Sequence, residues 1–285
     1  MSVSTARGGS AAPRTPETAA PTGLPGARRP RRGLPALRGF FWLMIGLLYL
    51  PIVILFVFSL NANTTLSFPL RGFTLDWYEK LFATSALLTS IKNSLIVAVG
   101  SSVVATTLGT MVAILLSRFN FRGRNVLTGL AVLPLLVPYV VLGVAMLVLF
   151  TALGIERSLL TVGVAHAVVA LPYATLIVLA RMVAAEPQLE EAAMDLGATY
   201  PSTLRLVVVP MAAPAIVSAW ITSFTVSFDE FALALFLAGR EQTFPVYLIG
   251  QLRFAQSLPV LIAAAVLLMI GTLTLILVAD RVRRR

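Results

Sequence analysis

Six stretches of roughly 20 or more mostly apolar residues, at about 40–60, 90–116, 126–153, 161–180, 211–237 and 258–278, run along the chain. That is the length a helix needs to cross the hydrocarbon core of a bilayer. No water is available there, so each backbone polar group must be paired inside its own segment, and helices are the expected solution. The remaining composition agrees. Hydrophobic residues make up 58% of the chain and charged ones 12%, about half the share of a soluble domain. Such a chain cannot cover a water-exposed surface with polar groups. The reading is an all-α membrane protein with six transmembrane helices.

The net charge is +10, which in a soluble domain would suggest nucleic acid. Here the basic residues gather at the ends of apolar runs, where they set orientation, so the partner they indicate is the lipid bilayer. With a cytoplasmic N-terminus, only Arg71, Lys80, Lys92, Arg157, Arg240 and Arg253 of the 22 Lys and Arg fall outside. The bias predicts that both termini are cytoplasmic. Cysteine is absent, which excludes disulfides, a thiolate nucleophile and iron–sulfur clusters. His166 is the one histidine, which excludes a His-rich metal site. No cofactor or metal is expected.

Residues 1–38 are rich in Pro, Gly, Ala and Arg without hydrophobic periodicity and read as a disordered basic cytoplasmic tail. Its paired arginines, Arg28-Arg29 and Arg31-Arg32, do not make a twin-arginine export signal, because the following apolar run is too long and more spans follow. Residues 39–280 form the transmembrane domain and 281–285 a short basic cytoplasmic end. Pro51, Pro134, Pro138, Pro172 and Pro214 fall inside apolar runs and are read mostly as kinks. The small residues of "VGSSVVATTLGT" predict close helix approach in the second span. Trp42 and Trp77 are read as interface anchors and Trp220 as packing.

One polar segment, 186–210, interrupts the pattern between the fourth and fifth spans, on the predicted cytoplasmic side. It holds Glu186, Glu190, Glu191 and Asp195. Leu189, Ala192, Ala193 and Leu196 recur at i, i+3, i+4, i+7, one helical face, with the acids Glu190, Glu191 and Asp195 mostly off it. Gly197 suits a helix end, Pro201 suits the first turn of a second short helix, and Pro210 is expected to close that helix. The result is a helix–turn–helix elbow whose small residues admit a partner's backbone and whose acids can pair with its basic residues. A helix lying on anionic lipid would carry the opposite charge and bulkier apolar residues.

"EAAMDLG" followed by "VVVP" resembles the EAA motif of inner-membrane permeases of ABC importers, carried here by Glu191, Ala192, Ala193, Gly197, Val207, Val209 and Pro210. Val207 and Val209 stand where the family usually has Ile and Leu. "RGFTLDWYEKLF", "NSL" (Asn93 to Leu95), "SRFNFRGR" and "SFTVSFDEFALALFLAG" are similar, in order, to the spermidine/putrescine branch, so the likeness runs from about residue 40 to the C-terminus. It implies a type I ABC importer permease in a bacterial inner membrane, with a coupling helix pair that docks on a cytoplasmic ATPase through Glu191 and Gly197. The implied partners are a second homologous permease, two ABC ATPase subunits, an extracytoplasmic substrate-binding protein and a small cationic solute.

The chain itself has no P-loop. Its only lysines, Lys80 and Lys92, follow Glu79 and Ile91, not the Gly that a phosphate-binding loop requires. ATP hydrolysis is therefore expected on a separate subunit, and no catalytic residues are assigned. Charges within a span are expensive and need a reason, so Asp229 and Glu230 in the fifth span are candidate path residues. Phe228 and Phe231 flank them, and ammonium groups favour both anions and ring faces. On a continuous helix neighbours point about 100° apart, so at most one acid faces the path squarely; an interhelical hydrogen bond, or pairing with an arginine of a second subunit, is the competing role. His166, with no acid nearby in sequence, is read as a helix–helix hydrogen bond. Three other readings stand beside the polyamine one. The cargo could be ferric iron, thiamine or an aminophosphonate. A gradient-driven secondary transporter would show internal repeats. A membrane enzyme lacks a catalytic constellation.

Overall fold

The computed structural model describes residues 35–283 apart from Leu66. The basic tail up to residue 34 and the last two arginines lie outside the described residues. By contact the chain divides into residues 1–50 and 51–285. Of the first unit, the described part is the N-terminal portion of α1 (Pro35–Ser59), which therefore begins four residues inside the expected tail. From Leu37 to Leu50 its side chains, Trp42 among them, are exposed apart from the half-buried Ile45.

Along the second unit follow α2 (Asp76–Ala83), α3 (Ser85–Arg118), α4 (Arg124–Val132), α5 (Tyr139–Ala152), α6 (Leu159–Ala184), α7 (Gln188–Asp195), α8 (Tyr200–Thr203), α9 (Val209–Phe228), α10 (Ala232–Leu237), α11 (Phe244–Gln251) and α12 (Leu258–Arg283). Among the described residues, five helices are long and apolar enough to cross a membrane. The third apolar run is different. It is bent by 107° between Arg124–Leu135 and Tyr139–Ala152, a broken span or a re-entrant loop in place of the straight crossing its length suggested. Pro134 and Pro138 account for the break. Each lacks an amide donor; Pro134 sits in a 3-10 turn, Leu133–Leu135, and Pro138, with an extended backbone, caps the start of α5 beyond the bend. Pro51, Pro172 and Pro214 lie inside unbroken helices.

The packed centre of the second unit is α3, α6 and α9. Ala98, Ala105 and Ala113 of α3 and Ala165, Ala170 and Ala174 of α6 are fully buried. At Gly109 the approach excludes even a methyl group. A Cβ there would sit 2.7 Å from the Ala174 Cβ and 2.8 Å from the Thr175 amide nitrogen. The small residues of the second span therefore do what their type predicted. One apolar cluster joins Ala113, Val178, Met182, Val208 and Ala212. A second joins Val97, Met146, Val169, Leu233 and Leu237. At the end of the bundle nearest the second cluster, Ser94 Oγ accepts from the Phe244 amide at 2.8 Å, and Thr161 Oγ1 donates to the Leu237 carbonyl at 3.0 Å. Trp77 departs from expectation. It is buried with Leu81, Leu87 and Ala263, and its indole donates to the Asn61 carbonyl at 2.8 Å, so it is a packed residue and not a lipid-interface anchor.

Candidate functional site

The structure sets two constellations apart: the elbow between α6 and α9, and a break in the fifth span.

At the elbow, α7 starts behind Pro187 with Glu190 and Glu191 in its first turn, where carboxylates favour the positive end of the helix dipole. It ends at Gly197, whose φ is +90°. The Gly197 amide donates to the Met194 carbonyl at 2.9 Å and the Ala198 amide to the Ala193 carbonyl at 3.1 Å. These are the paired bonds of a Schellman ending, which place the residue after the helix in the left-handed region that glycine tolerates. The face carrying Leu189, Ala192 and Leu196 points outward; Leu189 is 54% exposed and Leu196 90%. Glu191 and Asp195 are exposed beside it, and Ala193 is half-buried.

Glu190 behaves differently from the outward acid expected of it. It is 7% exposed. Its Oε1 accepts from Arg118 Nε at 2.8 Å and lies 2.7 Å from Arg118 Nη2. Arg118 Nη1 donates to the Met182 carbonyl at 3.0 Å. Burial of this acid is possible because it is paired and hydrogen-bonded.

Pro201 sits in the first turn of α8, as its fixed φ suits. Pro210 does not end that helix. The backbone stays helical from Tyr200 to Phe228, through a π turn at Leu204–Val208 in which the Val209 amide bonds the Leu204 carbonyl. The i→i+5 register widens the helix one residue before the proline. That relieves the clash its ring would otherwise make with the carbonyl four residues back.

The second constellation lies where α9 stops at Phe228. Asp229 and Glu230 do not continue a helix as the apolar run suggested. They and Phe231 form the break before α10, and the two acids have opposite environments. Glu230 is 6% exposed. Its Oε2 accepts from the Leu233 amide at 2.9 Å and the Ala234 amide at 3.3 Å, satisfying donors that the start of α10 leaves without helical partners. His166 Nε2 is 3.3 Å from the same oxygen, close enough to pair but out of line for a hydrogen bond.

His166 Nδ1 is 2.9 Å from Ser227 Oγ, which in turn accepts from Ser101 Oγ at 2.8 Å. Ser227 thus links α3 and α6 through one hydroxyl on α9. The helix–helix hydrogen bond expected of His166 is present. An acid is present as well, brought from 64 residues away in sequence.

Asp229 is exposed. With Phe228, Phe231, Phe244 and Thr272 it lines a cleft of about 660 Å³. Phe228 stacks on Phe224 at 5.9 Å, and Phe224 lies 6.2 Å from Trp220. A row of rings at i, i+4, i+8 therefore runs along α9 to the carboxylate. The spacing was visible in the sequence, but Trp220 read as packing alone and Phe224 was not singled out.

Comparison with known proteins gives a consistent result. Residues 105–285 match the family described as binding-protein-dependent transport system inner membrane component. The chain is 31% identical over 247 residues to the spermidine/putrescine transport system permease protein PotC of Haemophilus influenzae, covering 86% of this chain and 95% of that protein. It is 34% identical over 223 residues to the putrescine transport system permease protein PotI of Escherichia coli K12, covering 76% and 77%. In fold it is similar to a chain of a bacterial ABC transporter involved in import of the acidic polysaccharide alginate, with a TM-score of 0.71 at 18% identity, over 90% of this chain and 99% of that one.

Proposed function

The chain belongs to the family of binding-protein-dependent transport system inner membrane components, a multi-pass inner-membrane transport subunit, and from that premise we propose that it forms half of the translocation path of an ATP-driven importer of polyamines, spermidine or putrescine. The observation that carries the cargo is Asp229. It is the acid of the pair that faces open space, in a cleft walled by Phe228, Phe231 and Phe244. An extended cation with ammonium groups is held by a carboxylate and by ring faces, and the row Trp220, Phe224, Phe228 continues that surface along α9. The relatives bearing polyamine names cover most of both chains.

In this reading a second homologous permease completes the path. Two ABC ATPase subunits bind on the cytoplasmic side, and an extracytoplasmic binding protein delivers the cargo. Both termini are cytoplasmic. The outward face of α7, with Leu189, Ala192 and Leu196 flanked by Glu191 and Asp195, docks on the ATPase. Gly197 and Pro201 fix the angle at which α8 leaves it. Closure of the ATPase dimer on ATP draws the docked elbows together, and the spans rock to open the path outward; hydrolysis resets them.

The test is uptake of labelled spermidine by vesicles containing the assembled importer. Asp229→Asn removes the charge and keeps the shape. The expected result is a rise in KM of about tenfold or more, equivalent to about 1.4 kcal/mol of lost cation binding. An unchanged KM would assign Asp229 a structural role and remove the support for a cationic cargo.

A further inference from the structure

We propose that Arg118 is a positioning residue that pins the elbow to the ends of α3 and α6, so that a push on α7 moves three helices together. The inference rests on the importer reading above, and nothing in the family comparison assigns the residue.

Arg118 is the last residue of α3. Its guanidinium reaches two other segments at once. Its Nε donates to Glu190 Oε1 at 2.8 Å, Nη2 is held 2.7 Å from the same oxygen as an ion-pair contact out of line for a hydrogen bond, and Nη1 donates to the Met182 carbonyl near the end of α6 at 3.0 Å. Both charged side chains are nearly out of solvent, at 13% and 9% exposed, so the pair is screened little by salt. The next residue repeats the link on the other arm of the elbow: the Phe119 ring meets the Tyr200 ring edge-on at 5.7 Å. Beneath both contacts Ala113, Val178, Met182, Val208 and Ala212 form one buried cluster shared by α3, α6 and the start of α9. A planar, five-donor guanidinium holds such geometry in a way that the single ammonium of lysine does not.

A flexible elbow would dissipate displacement in its own turn at Gly197 or in the π turn that follows. Pinned at Glu190 and Tyr200, it transmits displacement to α3 and α6 as well as α9. Glu190 thereby acts inward while Glu191 and Asp195 remain available to a partner.

The chain contains no cysteine, which makes a cross-linking test clean. In proteoliposomes holding the complete importer, the readout is labelled spermidine imported per ATP hydrolysed. With Arg118→Cys and Glu190→Cys together, and thiols reduced, that ratio should fall about tenfold while ATP hydrolysis continues. Bridging the two thiols with a bifunctional reagent of the length spanned by the original pair should restore it.

A reduced double variant with the wild-type ratio overturns the proposal. So does a bridge that fails to restore uptake, because the elbow must then move against α3 during the cycle. Should the double variant fail to reach the membrane, Arg118→Lys carries the test, and a wild-type ratio there overturns the proposal equally. Wild-type vesicles that show no ATP-driven uptake would instead sink the importer reading itself, and the pin with it.

Discussion

Asp229 and Glu230 are adjacent, chemically alike and placed in opposite roles by their surroundings. Asp229 faces the cleft, whereas Glu230 turns inward and holds the first amides of α10. Leaving a buried donor unpaired costs about 1–3 kcal/mol. Glu230→Ala should therefore lower the melting temperature of the detergent-solubilised protein, and Glu230→Gln, which keeps a carbonyl acceptor, should lower it less. Equal losses would count against the capping role. Glu190 and Glu191 repeat the lesson at the elbow, one paired with Arg118 and one exposed. In the sequence both acids of each pair carry the same charge at the same depth. Which one turns inward depends on His166 and Arg118, supplied by other helices, so one-dimensional spacing assigned the pair and not its members.

At the scale of the element, residue type foretold backbone behaviour where the cause was local. Gly197 adopts the left-handed ending its position suggested. A side chain in that region costs about 1–2 kcal/mol, so Gly197→Ala should raise amide hydrogen exchange over residues 196–199 without disturbing α6. Protection equal to wild type would show the turn to be held from outside. Gly109 shows the other use of small residues. Gly109→Val forces atoms into the contact with Ala174 and Thr175; overpacking of this kind costs about 1–3 kcal/mol. The expected outcome is a lower melting temperature for the solubilised protein, and an unchanged one would mean that the two helices separate freely.

The prolines divide for a reason that composition does not carry. Pro134 and Pro138, four residues apart, break their span, while Pro210 is absorbed by a π turn. A single missing donor can be accommodated by a register shift, whereas the two four residues apart leave only one 3-10 turn, closed by the Leu136 amide on the Leu133 carbonyl at 3.0 Å, before the bend.

Across the whole molecule, the outward face of α7 is the surface proposed to dock on the ATPase. Leu189 and Leu196 are exposed at the two ends of a short polar helix, where no lipid-spanning role accounts for them. Ala192→Arg, which places bulk and positive charge in the middle of that face, should reduce co-purification of the ATPase subunits by about tenfold or more. Retention at the wild-type level would move the docking surface elsewhere.

By itself the sequence determined the membrane class, the approximate spans, the elbow and its resemblance to a permease family. Those properties follow from runs of apolar residues, from the placement of Gly and Pro, and from local charge, all of which act over a few turns of chain. Only the tertiary structure decided that the third apolar run is bent, that α9 ends at Phe228, that Trp77 is packed inside, and that Arg118 meets Glu190 across 72 residues. Each of these outcomes depends on which polar group finds a partner on another helix once water is excluded. That choice is made by the fold as a whole, because an unpaired charge or amide in the bilayer costs more than local helix propensity can offset.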